Sequence, residues 1–89
     1  MSASIRLDKW LWQARFVRSR TLAQGFLETH IVRVNRVPAA KTSTPVAVGD
    51  VLTLPFERGV RVVRVLALGT RRGPPAEARS LYEEILDLS

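Results

Sequence analysis

The chain has 89 residues, 14 Lys+Arg against 8 Asp+Glu for a net charge of +6, one histidine and no cysteine. That length suits one domain with a small core, and the composition excludes a disulfide framework, a thiolate metal site and a His-based zinc cluster. No apolar run approaches the roughly 18 residues of a membrane span, and MSASIRLDKW lacks the apolar centre of a secretory signal, so the expected location is cytoplasmic.

Residues 1–5 read as a tail. Leu7, Trp10, Leu11, Ala14 and Val17 recur at helical spacing and predict an amphipathic helix. Asp8 favours its start, and Lys9, Trp12, Gln13 and Phe16 fall on or near the opposite face. Trp12 and Phe16 read first as core cover, with stacking on a base as the alternative. Ser19 is the predicted N-cap of a second helix, whose stripe is Leu22, Ala23, Phe26 and Leu27. Arg20 and Gln24, four apart, share a face away from that stripe.

A short strand is predicted over 31–35 and a loop over 38–45 with Lys41 inside it. Gly49-Asp50 turns the chain into a strand at 51–54. Glu57-Arg58-Gly59 is a hairpin turn into a strand at 60–68, where Arg61 and Arg64 read as edge protection. Arg71-Arg72-Gly73-Pro74-Pro75 breaks the pattern, with the two arginines free to extend a basic surface or to pair with the acids that follow. A final helix is predicted from about 76 to 88, with Leu81, Ile85 and Leu88 as its stripe. The order α-α-β-β-β-α defines an α+β class: two N-terminal helices packed on a small antiparallel sheet, plus a C-terminal helix. The expected division is a flexible tail at 1–5, the main domain at 6–70, and a linker and helix at 71–89.

All the excess charge lies in the first half. Residues 1–45 carry eight basic and two acidic side chains, and residues 46–89 carry six of each. Twelve of the fourteen basic residues are arginine, whose planar fork suits bidentate phosphate contacts and stacking on bases. Such a half points to a polyanion, nucleic acid ahead of a membrane surface. The candidate RNA-binding residues are Arg6, Lys9, Arg15, Arg18, Arg20, Arg33 and Lys41 for phosphates, Ser19 at a helix start, and Gln24 and Asn35 for sugars or base edges. No catalytic or metal-binding residue is assigned. His30 is a lone turn histidine, Asp8 reads as helix initiation with an arginine pair, and Glu83-Glu84 as a solvated face. There is no glycine-rich phosphate loop and no nucleophile motif.

Four segments occur in order: Arg6-Leu7-Asp8-Lys9-Trp10-Leu11, Ser19-Arg20-Thr21-Leu22-Ala23, Val32-Arg33-Val34-Asn35 and Val48-Gly49-Asp50-Val51-Leu52. Together they resemble the S4-type (alpha-L) RNA-binding domain. Asp8-Lys9-Trp10-Leu11-Trp12, Ala14-Arg15-Phe16, the run from Arg71 to Ala78, and Leu81-Tyr82-Glu83-Glu84 are similar to the heat-shock protein 15 family. Two departures stand out. Thr29-His30 occupy a turn where the S4 pattern has glycine, and Asn35-Arg36 replace its Asn-Gly. A left-handed conformation at Arg36 would cost on the order of 1 kcal/mol and would leave its side chain free to reach a phosphate.

The expected protein is non-enzymatic, cofactor-free and monomeric, and the resemblance implies that it binds structured ribosomal RNA on the large subunit. It further implies action on stalled subunits that carry a nascent chain on tRNA. The alternatives are a double-stranded DNA-binding protein that uses its second helix for recognition, an accessory RNA-binding subunit of an RNA-modifying enzyme, and a protein adaptor that uses the acidic C-terminal segment. No membrane partner is expected.

Overall fold

The computed structural model describes residues 3–87. The elements run β1 (Ile5–Arg6), α1 (Leu7–Gln13), α2 (Arg20–Thr29), β2 (Arg33–Val34), β3 (Val37–Pro38), β4 (Pro45–Val46), β5 (Val51–Phe56), β6 (Gly59–Val65), α3 (Pro75–Arg79) and β7 (Tyr82–Asp87). An antiparallel sheet in the order β3-β2-β5-β6-β7 carries the two longer helices, and β1 pairs with β4 beside it. Ile5, expected in the tail, is therefore strand-paired with Val46, while Met1 and Ser2 lie outside the described residues.

Helix α1 starts without a side-chain cap. The loop before β4 supplies acceptors instead: Leu7 N–H donates to the Thr44 carbonyl at 2.9 Å and Asp8 N–H to the Thr42 carbonyl at 3.1 Å. The helix buries Leu7, Trp10 and Leu11 completely, and the Trp10 indole N–H donates to the Ala67 carbonyl at 3.1 Å. Each buried aliphatic side chain contributes about 1.5–3 kcal/mol, so this face carries much of the stability of so small a core.

The predicted periodicity runs to Val17, but α1 ends at Gln13. Arg15 takes φ 62°, its N–H donates to the Trp12 carbonyl, and Phe16 N–H reaches back to the Leu11 carbonyl at 3.0 Å. This is a Schellman termination with arginine where glycine is usual. Phe16 folds back on Trp10, with ring centroids 5.9 Å apart. It also packs against Phe56 and Tyr82, so it serves the core. Gln13, expected near the exposed face, is fully buried because the helix stops before its far side can turn to solvent.

Ser19 caps α2 as predicted, its hydroxyl oxygen accepting from Leu22 N–H at 3.0 Å. Ala23 is buried and Phe26 and Leu27 pack on the core, whereas Leu22 is exposed. His30 closes α2 in an extended conformation, φ −129°, so the turn needs no glycine. The β2–β3 hairpin places Asn35 at φ 52° and Arg36 at φ 71°. Two successive positive φ values between Val34 and Val37, which pair, are the signature of a type I′ turn. Strands β5 and β6 turn Leu52, Leu54, Val63 and Val65 inward, all fully buried.

The predicted C-terminal helix is corrected. Only α3, five residues long, is helical, and residues 82–87 form strand β7 along β6; Leu88 lies outside the described residues. The apolar spacing fits a helix, but β6 offers an open row of backbone donors and acceptors. Its arginines also meet the glutamates across the strands, Arg61 with Glu84 and Arg64 with Glu83. Arg61 and Arg64 are thus cross-strand partners inside the sheet rather than edge guards. Leu81 joins the core at the start of the strand, and Arg71 pairs with Glu77 of α3 at 3.1 Å.

Candidate nucleic-acid interface

The cationic cluster is organised by a carboxylate. Asp8 is the third residue of an Arg-Leu-Asp run at the start of α1, and its side chain is 0% exposed. Arg6 donates to both of its oxygens, from Nε at 3.1 Å and from an Nη at 3.0 Å. Gln24 Nε2 donates to it from α2 at 3.1 Å, Lys9 N–H donates at 2.8 Å, and an Arg20 Nη stands 3.7 Å away. Burial pushes the Asp8 carboxyl up. The hydrogen bonds from Arg6, Gln24 and Lys9 N–H and the charge of Arg6 outweigh it, and the group sits below the ordinary carboxylate value. The same contact holds the Arg6 guanidinium above its usual value, chiefly through the hydrogen bond and then the charge.

Asp8 therefore fixes three side chains that the sequence assigns to RNA: Arg6, Arg20 and Gln24. Arg6 and Arg20 remain 48% and 42% exposed, so each is held at one end and open to a ligand at the other. Lys9 and Arg6 line a groove of ≈ 370 Å³ with Ser43 and Pro45. Lys41 joins them through the backbone, because the Thr42 carbonyl beside it accepts from Asp8 N–H. The exposed Arg18 precedes the α2 cap and makes no ion pair among the described residues. Arg6, Lys9, Arg20, Gln24 and Lys41 thus gather around the starts of α1 and α2.

The other candidates stand differently. Arg15 Nε donates to the Gly73 carbonyl at 2.8 Å, tying the α1 terminus to the C-terminal segment. The Ser19 hydroxyl oxygen is engaged in its cap. Asn35 is a clamp: its amide nitrogen donates to Asp50 at 3.0 Å and its oxygen accepts from Val51 N–H at 2.9 Å. Arg33 lies at the hairpin, reaching the Arg36 carbonyl at 3.3 Å. Asp8 as organiser was only partly legible, as an acid among basic residues at a helix start. Asp50, which also accepts from Ala47 N–H, was legible only as a turn residue beside Gly49. Among the described residues no three His, Asp or Glu side chains stand together as a metal site, and no helix is long and apolar enough to cross a membrane.

Two short helices on an antiparallel sheet, with a cationic groove at the start of α1 and Arg20 beside it at the start of α2, define a binding module. The S4 domain family model matches residues 5–52, and the chain belongs to that family. Within it, the chain is homologous to heat shock protein 15. It is 41% identical to heat shock protein 15 of Escherichia coli (strain K12) over 83 residues, covering 93% of this chain and 62% of that protein. The homolog from Haemophilus influenzae is 39% identical over 80 residues, covering 90% and 60%. The chain thus spans only about three fifths of the length of these relatives. A protein of Helicobacter pylori named RQC P-site tRNA stabilizing factor is 31% identical over 78 residues, covering 88% of this chain and 92% of its own. The solved trimeric structure of Vibrio cholerae heat shock protein 15 superposes with a TM-score of 0.84 at 35% identity, covering 92% of this chain and 82% of that one.

Proposed function

We propose that this protein binds structured ribosomal RNA without catalysing a reaction, on the large subunit, and that it acts on stalled subunits carrying nascent-chain tRNA. The observation that carries the proposal is the set Arg6, Arg20 and Gln24 held by one buried carboxylate, with Lys9 and Lys41 beside it. Side chains already fixed lose little entropy on binding, and a cluster of cations and one amide suits the phosphates and 2′-hydroxyls of folded RNA. The names of the relatives support a ribosomal setting: heat shock protein 15, and a factor named for stabilising P-site tRNA. Monomeric binding in the cytoplasm is part of the proposal. One relative has been solved as a trimer, and sedimentation velocity of the purified protein distinguishes the two states.

The test is co-sedimentation with ribosomal subunits, empty or loaded with peptidyl-tRNA, at two salt concentrations. Preferential binding to the loaded large subunit at the higher salt supports the full proposal. Equal, salt-sensitive binding to every particle reduces it to phosphate attraction. No association at either salt overturns it.

A further inference from the structure

A second concavity lies away from the Asp8 cluster, between the C-terminal end of α2 and the β5–β6 turn. It has a volume of ≈ 640 Å³ and is lined by Phe26, His30, Phe56, Glu57, Arg58 and Arg61. That volume falls within the roughly 300–1,000 Å³ range of small-ligand sites. Its aromatic rings form a near-parallel row. His30 stacks on Phe26 at 4.6 Å and 19°, Phe26 on Phe56 at 5.2 Å and 26°, and Phe56 on Phe16 at 5.9 Å and 19°. The Arg61 guanidinium closes the inner end, 5.0 Å over the Phe16 ring. The outer end is the exposed His30 ring, whose Nδ1 is anchored 2.9 Å from Thr29 Oγ1 and 3.3 Å from the Phe26 carbonyl. Arg58, exposed at the turn, makes no ion pair among the described residues.

We propose that this concavity binds one unpaired nucleotide, its base extending the His30–Phe26 stack and its phosphate meeting Arg58. An oriented aromatic face open to solvent takes any base, and a guanidinium beside it supplies the phosphate contact. Glu57 on the rim repels a second phosphate and accepts from an exocyclic amine, so among the bases that can stack, those with an exocyclic amine, adenine included, are favoured over uracil. Helix α2 joins the two sites: Arg20 begins it and His30 closes it, a rise of about 15 Å. An RNA held at the Asp8 cluster can therefore present a splayed nucleotide here. The inference rests on the RNA-binding reading, but free nucleotides test it independently.

His30 is the chain's single histidine, so its ring protons are an unambiguous NMR reporter. The full chain is titrated with adenosine 5′-monophosphate, uridine 5′-monophosphate and ribose 5-phosphate. Separately, a structured rRNA fragment with an unpaired adenine is bound to the wild type, His30→Ala, His30→Tyr, Arg58→Ala and Lys41→Glu. The expected result is a saturable upfield shift of the His30 protons with adenosine monophosphate, weaker with the uridine nucleotide and absent with ribose 5-phosphate. Loss of the stacking ring in His30→Ala should weaken the RNA fragment at least about fivefold. His30→Tyr should retain binding, and Arg58→Ala should weaken nucleotide and fragment together. Lys41→Glu should weaken the fragment yet keep the nucleotide shift. If the fragment does not bind even the wild type while adenosine monophosphate still shifts His30, the interface fails and this site stands. No shift with any nucleotide, an equal shift with ribose 5-phosphate, or full RNA affinity in His30→Ala overturns the site.

Discussion

Replacing Asp8 by asparagine separates two views of the cationic cluster, because they give the substitution opposite signs. If Asp8 merely adds negative charge near the phosphates, removing it raises the local positive potential and tightens RNA binding. If it positions Arg6, Arg20 and Gln24, as its hydrogen bonds and ion pair indicate, the variant binds more weakly despite its greater positive charge. Asparagine keeps one acceptor oxygen but turns an NH₂ group toward donors that have no acceptor to offer. An unsatisfied buried donor costs about 1–3 kcal/mol. The ion pairs add little to this, because Arg6 and Arg20 are about half exposed and regain water. The expected destabilisation is about 2 kcal/mol, a fall in Tm of roughly 8–16 °C for a domain of this size. Three side chains must then be ordered during binding, which weakens affinity roughly tenfold or more. The assays are thermal unfolding by circular dichroism and fluorescence anisotropy with an rRNA fragment across a salt series. An Asp8→Asn variant with unchanged Tm and equal or tighter RNA binding refutes the positioning role.

The same group makes a pH prediction. The folded carboxyl titrates below its ordinary value of 3.8, so as pH falls the unfolded chain takes up the proton first. The stabilisation is complete above about pH 4 and is lost as pH drops through the folded value; the stability gap between wild type and Asp8→Asn should therefore narrow below pH 4 in denaturant titrations. Arg36→Gly should stabilise the protein by about 0.5–1 kcal/mol, since Arg36 holds φ 71° in a type I′ turn that favours Asn-Gly, and guanidinium unfolding measures it. Arg18→Glu and Lys41→Glu, at exposed positions, should weaken RNA binding with Tm changed by little. Arg20→Glu, by contrast, places a second carboxylate beside buried Asp8 and should lower Tm as well. Truncation after Pro75 should cost about 3 kcal/mol or more, because it removes β7 and the Leu81 and Tyr82 side chains from the core; a truncated chain with the wild-type Tm would contradict the sheet topology.

The local patterns determined a great deal. Ser19, standing before a helical apolar stripe, specified the α2 cap, and Glu57-Arg58-Gly59 marked the β5–β6 hairpin turn. The scarcity of acids in residues 1–45, two against six in residues 46–89, marked the basic half. The cap and the turn are short-range signals, each dependent on neighbours within one turn or one hairpin, and the charge balance is a matter of composition. Tertiary structure decided three other features. Periodicity carried α1 to Val17, but the return of Phe16 to Trp10 ended it at Gln13 and buried Gln13. The spacing of Leu81, Ile85 and Leu88 fits a helix, and a strand won because β6 supplies backbone partners and two arginines from about twenty residues away. Arg15 and Asn35 are RNA-binding candidates by residue type, and only the structure shows that they also engage Gly73, Asp50 and Val51. What the sequence alone determined is therefore composition, local capping and turn chemistry. The length of α1, the state of the C-terminal segment and the division between structural and available cations depend on contacts far apart in the chain, whose energies no local pattern encodes.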